Sequence, residues 1–285
     1  MAVASQAETY DRLRQLLPAH DISVEPLVVD ERVIPLSPDR IPWSVTDFDV
    51  GFVFPRRLLE GDVASIATDI PWINDREAIL RSRNKAAVLA QLGQAGLPVP
   101  QTLLVSNPVT EDELEEAFSS FDGPVIIKPN STTRGVGVAR ASDVDSLIGI
   151  ADYLELVHDF RATGDKSYLI QEFVETSRDL RVMVIDGEYV GAVERLRTDD
   201  RNDRWKLNVH RGATARGVTP DATCRDLAEQ AAAELDIPFL GVDLLLTERG
   251  PIISETNARP TIDDPAKYES KFIDEFVELI TSTAP

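Results

Sequence analysis

The chain has 285 residues, 43% hydrophobic and 27% charged, a composition that can bury a core and excludes disorder on the scale of the whole chain. Forty-nine acidic residues against 29 basic ones leave a net charge of −20, which argues against a nucleic-acid partner or an anionic membrane surface. One cysteine, Cys224, excludes a disulfide framework and fits a reducing cytoplasm, and no signal peptide or spanning run of ~18–20 apolar residues is expected.

At ~100–200 residues per domain, this length suggests two domains, or three with a small lobe. Residues 1–73 read as a small α/β unit: Tyr10 to Leu17 has helical spacing, and Ile22 to Val29 and Val50 to Phe54 read as strands. A central lobe is expected over 74–170. Asn74 with Glu77 resembles a capping box, and Ser82 can start a second helix. Along that helix Lys85 shares an apolar stripe with Val88, Leu89 and Leu92. A strand from Leu103 to Val105, a helix opened by Thr110 with Glu113, and a strand from Val125 to Lys128 come next. The polar loop from Asn130 to Gly137 leads to a short strand, a helix from Ser142 and a strand from Tyr168 to Phe173.

The C-terminal lobe is expected over 171–285. Asp186-Gly187 joins Arg181–Ile185 to Tyr189–Arg195 as a hairpin. Thr219-Pro220 opens a helix with Cys224, Leu227, Ala228, Ala231 and Leu235 on its inner stripe. A second hairpin pairs Gly241–Leu246 with Pro251–Asn257, and an amphipathic helix carrying Phe272, Phe276 and Ile280 follows. Lysine occurs only at Lys85, Lys128, Lys166, Lys206, Lys267 and Lys271. An acidic, lysine-poor surface of this kind suits a salty cytosol, where screening removes most self-repulsion.

The most specific chemical pattern is Gly241-Val242-Asp243 followed by Ser254-Glu255-Thr256-Asn257. Residues two apart on a strand share a face, so Glu255 and Asn257 project together, and the hairpin can bring Asp243 beside them. Two carboxylates and an amide oxygen are hard ligands suited to Mg²⁺; the alternative is a solvated pair at a sheet edge. Lys128, at the end of a buried strand before a glycine-bearing loop, suits a phosphate cradle, with a structural turn as the alternative. No Walker A sequence occurs, and Arg134-Gly135-Val136-Gly137 does not fit a dinucleotide-binding fingerprint. Lys85 can add a second cation or snorkel past its stripe. Asn208 and Arg211, in Trp205 to Ala213, read equally as a solvated basic loop.

In succession these pieces resemble one family. Lys85, Ile127-Lys128-Pro129 with its glycine loop, Gln171-Glu172-Phe173-Val174, Asp179-Leu180-Arg181, Asn208 to Gly212, Gly241-Val242-Asp243 and Glu255-Thr256-Asn257 stand in the order of the ATP-grasp superfamily, and within it of RimK-type α-L-glutamate ligases. The resemblance covers residues 74–280. It implies an α/β ATP-grasp fold behind an N-terminal pre-ATP-grasp domain, with ATP and two Mg²⁺ ions (Mn²⁺ as a substitute) as cofactors. It implies that Lys85 and Lys128 contact ATP phosphates beneath the loop carrying Arg134, Gly135 and Gly137. Glu172 and Phe173 would offer backbone groups to adenine, Asp179 would meet the ribose, and Lys206 and Asn208 would approach the nucleotide. Asp243, Glu255 and Asn257 would bind the metals, and Arg195 would lie near the transferred phosphate. The departure is Asn257-Ala258-Arg259-Pro260-Thr261 where the family has Asn-x-Ser-Pro-Gly; Arg259 there suggests a different anionic group in the acceptor site.

The expected reaction transfers the γ-phosphoryl of ATP to a carboxylate, and an amine, glutamate or another amino acid, attacks the acyl phosphate. Arg195 and Arg259 are the catalytic candidates. A homo-oligomer fits the family, and the alternative function is a non-catalytic ATP-binding sensor or scaffold.

Overall fold

The computed structural model describes residues 1–4, 8–44, 46–132, 136–157, 166–196 and 214–285. Its described residues build three sheets. The first is parallel, in the order β2-β1-β3-β4, from β1 (Ala2–Val3), β2 (Glu25–Pro26), β3 (Gly51–Phe52) and β4 (Trp72–Ile73). Helix α1 (Glu8–Leu16) links β1 to β2, and α2 (Leu58–Thr68) links β3 to β4. The strands expected over Ile22–Val29 and Val50–Phe54 are two residues long. Pro26 has no N–H for a ladder, and Val53 turns the chain out of β3 at φ 50°.

Helices α3 (Arg76–Arg83) and α4 (Lys85–Gln94) follow. The expected caps are displaced by one or two residues. Asp75 caps α3 by accepting from Ala78 N at 2.8 Å, and Asn84 caps α4 by accepting from Ala87 N at 3.2 Å. Asn74 is instead buried, and its carboxamide is bonded to Phe239 O, Ala258 O and Phe239 N. Ser82 Oγ accepts from Ala258 N at 3.0 Å. Both residues thus tie this segment to the end of the metal-candidate hairpin.

The second sheet is antiparallel, β5-β8-β6-β7, from β5 (Thr102–Ser106), β6 (Val125–Pro129), β7 (Ala139–Ala141) and β8 (Ser167–Glu172). Thr110 and Glu113 form the expected capping box on α5 (Glu111–Ser119), while Asp143 rather than Ser142 caps α6 (Val144–Val157). Leu114, Leu147 and Leu154 from these helices pack on Val125, Ile127 and Ile170. Strand alternation then turns Lys128 to the opposite face.

The third sheet, β11-β10-β9-β12-β13, is antiparallel and contains β9 (Arg178–Ile185), β10 (Glu188–Leu196), β11 (Thr214–Val218), β12 (Phe239–Thr247) and β13 (Gly250–Asn257). Asp186 (φ 46°) and Gly187 (φ 83°) make the first hairpin turn with both central residues at positive φ, the twist that right-handed strands require. Helix α7 (Ala222–Leu235), capped by Asp221, packs Cys224, Leu227 and Ala231 against Leu180, Val182, Val242 and Leu244. The same core takes in Ala78, Ile79, Val88 and Leu92. So α3 and α4, expected with the central lobe, lie on the third sheet. On its other face Met183, Ile185 and Phe239 meet α8 (Phe272–Thr283) and Phe52 of the first sheet. Among the described residues no helix is long and apolar enough to cross a membrane.

Candidate active site

On the hairpin of β12 and β13, Asp243 stands opposite Glu255 and Gly241 opposite Asn257. Directly opposed residues share a face, as do residues two apart. The register therefore gathers Asp243, Glu255 and Asn257 on one face. A bulge at Ser254 shifts the register, so that Leu244 pairs with Ile253 and both remain in the apolar core. Without that extra residue, Glu255 or Ile253 would face the wrong side.

Neighbouring strands add a row of charge to the face. Arg195 pairs in register with Asp179, and Asp243 with Arg181. The Arg181 guanidinium grips Asp243 with two bonds, Nε to Oδ1 at 2.7 Å and Nη2 to Oδ2 at 2.8 Å. Arg195 donates to Asp243 Oδ2 at 2.7 Å and to Asp179 Oδ1 at 2.9 Å. Asp243 is 3% exposed. Burial alone would raise its pKa, but Arg181 and Arg195 overcome that and hold it near 2. Burial pushes Asp179 up to about 6 against the pull of Arg195, with Asp243 adding to the rise. Arg195 stays protonated: its two carboxylate partners outweigh its own burial.

The two lysines meet this hairpin from other elements. Lys85 Nζ lies 3.3 Å from Glu255 Oε1 and donates to Thr132 O at 2.5 Å. Lys128 Nζ donates to Gln171 Oε1 at 2.9 Å and to Ser254 O at 3.5 Å. Burial lowers the Lys128 pKa to about 8; Glu255 opposes the shift and Lys85 adds to it. A small cleft beside them is lined by Ser82, Lys85, Val88, Ser254 and Glu255. Gly137 closes the base of the loop after β6: at φ 76° any Cβ there would lie 2.8 Å from Pro129 Cγ.

Other expectations fare differently. At Glu172 and Phe173, where backbone groups were expected to meet adenine, the two amide N–H groups donate to Gln101 O at 2.9 Å and Pro124 O at 3.0 Å. Those two bonds extend the pairing of the interior strand β8 to the residues just before β5 and β6. Asp179 faces Arg195 within the charged row. Arg259 does not extend into that row: its guanidinium donates to the backbone carbonyls of Val53, Phe54 and Ala4. Burial lowers its pKa to about 10, and Arg83 and Arg56 add to the effect. Arg134, Gly135, Lys206 and Asn208 lie outside the described residues.

Three contributors had no role assigned from sequence. Arg181 could have been read from its position two residues after Asp179 in an apolar strand, where a buried guanidinium needs an acid. Gln171 shares the face of Lys128 by strand register. Asn130 gave no signal of its own; its Oδ1 accepts from Ala86 N at 2.9 Å and its Nδ2 donates to Asn84 Oδ1 at 3.0 Å, fixing the start of α4 beside the loop.

The donor set suits a hard cation. Asn257 has a buried side-chain amide atom with no hydrogen-bond partner among the described residues, and the two ends of a carboxamide are interchangeable by a flip that would present oxygen there. A carboxylate has about four lone-pair sites; three on Asp243 accept from arginines, leaving one on Oδ1. Among the described residues no group of three His, Cys, Asp or Glu converges on a metal-sized site. Mg²⁺ is commonly held by one or two carboxylates completed by substrate phosphates, which fits such a set.

A family model described as the RimK-like ATP-grasp domain matches residues 82–280. A curated relative named "Probable alpha-L-glutamate ligase" from Sodalis glossinidius is 32% identical over 194 residues, 67% of this chain and 61% of that protein. The chain thus matches about three-fifths of that relative's length. Among solved structures, D-cycloserine synthetase DcsG superposes with a TM-score of 0.75 at 17% identity, covering 99% of this chain and 98% of that one. The ATP-grasp ligase PsnB, in complex with a phosphomimetic variant of a minimal precursor, Mg and ADP, gives 0.67 at 15% identity over 99% and 97%. At these identities the two structures speak for the fold.

Proposed function

The chain belongs to the RimK-like ATP-grasp family, and on that footing we propose that it is an ATP-dependent, ADP-forming carboxylate–amine ligase. It makes an amide through an acyl phosphate, adding glutamate or another amino acid to a carboxylate-bearing acceptor. The observation that carries this reading is the register that sets Asp243 opposite Glu255 with Asn257 on the same face, and Lys85 3.3 Å from Glu255. Similarity to curated glutamate ligases and to the fold of a ligase solved with Mg and ADP supports it.

In this mechanism Asp243, Glu255 and Asn257 would hold Mg²⁺. A metal held there would supply positive charge against the phosphates. Lys85 and Lys128 meet the polyphosphate from the side of α4 and β6. Arg195, kept cationic between Asp179 and Asp243, lends positive charge where negative charge builds on the transferred group. Arg181 fixes the Asp243 carboxylate plane, so its open lone pair keeps one direction. The acyl phosphate must be shielded from water, which would otherwise hydrolyse it. No side-chain nucleophile is required. Cys224 is buried under the third sheet with its pKa pushed to about 12, first by burial and then by the Asp221 carboxylate, and stays a thiol.

The test is ADP release from Mg·ATP over a panel of carboxylates and amino acids, with mass spectrometry of the product. ADP that appears only when carboxylate and amine are both present, together with a new amide, supports the ligase. Tight ATP binding with no ADP from any pair in the panel and in cell extract refutes it in favour of a nucleotide sensor.

A further inference from the structure

Four arginines, Arg56, Arg57, Arg83 and Arg259, cluster where the first sheet meets the end of β13, in a chain of net charge −20. Arg56 and Arg57 share Asp30, and Arg57 also approaches Glu60 at 3.6 Å. Neither Arg83 nor Arg259 forms an ion pair among the described residues, and Asp30, which opposes the fall in the Arg259 pKa, is already bonded to Arg56. Arg83 donates to Arg56 O at 2.9 Å, and burial lowers its pKa. Three of the five guanidinium donors of Arg259 are taken by carbonyls. Guanidinium groups withdrawn from water without an acid are costly unless something anionic completes them.

The position of the cluster is informative in itself. In the order β2-β1-β3-β4 the chain leaves β1 toward one edge and returns to β3 on the other side. In open parallel sheets, ligands bind outside the carboxyl ends of the strands at such a switch point. Ala4, which follows β1, and Val53 and Phe54, which follow β3, are the residues whose carbonyls hold Arg259. Val53 adopts φ 50° there, a conformation a β-branched residue adopts only under constraint, and strain of this kind gathers at ligand sites. Arg259 is two residues beyond Asn257, so its Cα lies within ~7.6 Å of that of the metal-candidate residue.

We infer that the arginine cluster at the carboxyl ends of β1 and β3, built on Arg259 and flanked by Arg83 and Arg56, takes an oxyanion of the acceptor distinct from the carboxylate that is joined. The acceptor is then a small molecule with at least two acidic groups, one at the metal site and one at the arginines. This rests on the ligase reading. A guanidinium fork suits carboxylate and phosphate alike, and the experiment sorts them.

The full-length protein is titrated calorimetrically, without ATP, with glutarate, glycerol 3-phosphate and glutaramide. At least one of the two anions binds while neutral glutaramide does not; the tighter anion identifies carboxylate or phosphate. Arg83→Gln weakens that anion at least tenfold and leaves the Mg·ATP affinity unchanged. Should Arg83→Gln not fold, Arg56→Gln, whose side chain is 55% exposed, gives the same reading. Wild-type protein that binds neither anion, or binds glutaramide equally, overturns the inference, as does a folded variant with undiminished anion binding. Failure of the ligase reading would look different: anion binding would persist while no acceptor yielded ADP.

Discussion

Binding of Mg·ATP at alkaline pH should draw a proton onto the protein at Lys128. The ammonium is 8% exposed, and burial holds its pKa at about 8. A polyphosphate laid against it favours the charged form and returns the value to the ordinary lysine range of ~10.4 or above. The free protein is then about half protonated at pH 8 and about one-tenth at pH 9, so uptake rises from ~0.1 proton at pH 7 to ~0.5 at pH 8 and ~0.9 at pH 9. ATP contributes little there, since terminal phosphates titrate near pH 6. Calorimetric titrations with Mg·ATP in buffers of different ionisation enthalpy, without acceptor, give the number of protons directly. Lys128→Met should abolish the uptake. Proton exchange near zero at pH 9, or equal uptake in Lys128→Met, refutes Lys128 as a phosphate ligand. In the nucleotide-free protein the same depressed pKa means that the unfolded chain binds more protons, so stability rises with pH between about 8 and 10.5.

Asn74→Ala removes three hydrogen bonds from a buried site and strands the Phe239 and Ala258 backbone groups; we expect a loss of ~3 kcal/mol in denaturant unfolding. A loss under 1 kcal/mol would show the tie to be dispensable. Gly137→Ala forces a Cβ against Pro129 at positive φ in an exposed loop, at ~1–2 kcal/mol of local strain. ATP affinity should fall with the thermal midpoint nearly unchanged, and unaltered affinity counts against the loop. Glu194, held below the ordinary carboxylate range first by Arg178 and then by Arg216 against its burial, contributes stability above pH 4.5 that is lost as pH falls through its folded pKa. Glu194→Gln should therefore flatten the acid limb of the stability profile while Arg178 and Arg216 remain. An acid limb identical to wild type refutes the assignment.

Much of this site was legible because strand alternation is a rigid rule. Glu255 and Asn257 had to share a face, and a hairpin over Thr247 to Gly250 had to bring Asp243 near them. The bulge at Ser254 was not legible, since regular counting from the turn sets Asp243 opposite Ser254 and only the three-dimensional register shows Glu255 there instead. Lys128 was marked by its position at the end of an apolar run. Arg181 was passed over because its partner lies 62 residues away. Asn74 and Ser82 were read as local caps, and both serve instead as long-range ties to Phe239, Thr256 and Ala258. Local pattern assigned a polar residue to the nearest helix start, and tertiary contacts overrode it. The same limit applies to Arg259, whose carbonyl partners come from the first sheet. For the hinge, family likeness named Glu172 and Phe173, whose amide N–H groups bond to Gln101 O and Pro124 O at the end of β8.

The most direct test of the central claim is electron paramagnetic resonance of Mn²⁺ titrated into protein saturated with ATP, comparing wild type with Glu255→Gln. Glu255 is 36% exposed and paired only with Lys85 at 3.3 Å among the described residues, so its removal costs at most ~1 kcal/mol of stability and the variant stays folded. The account predicts a tight Mn·ATP complex in wild type and at least tenfold weaker metal binding in Glu255→Gln, with turnover lost. Equal metal affinity in the two folded proteins would contradict it.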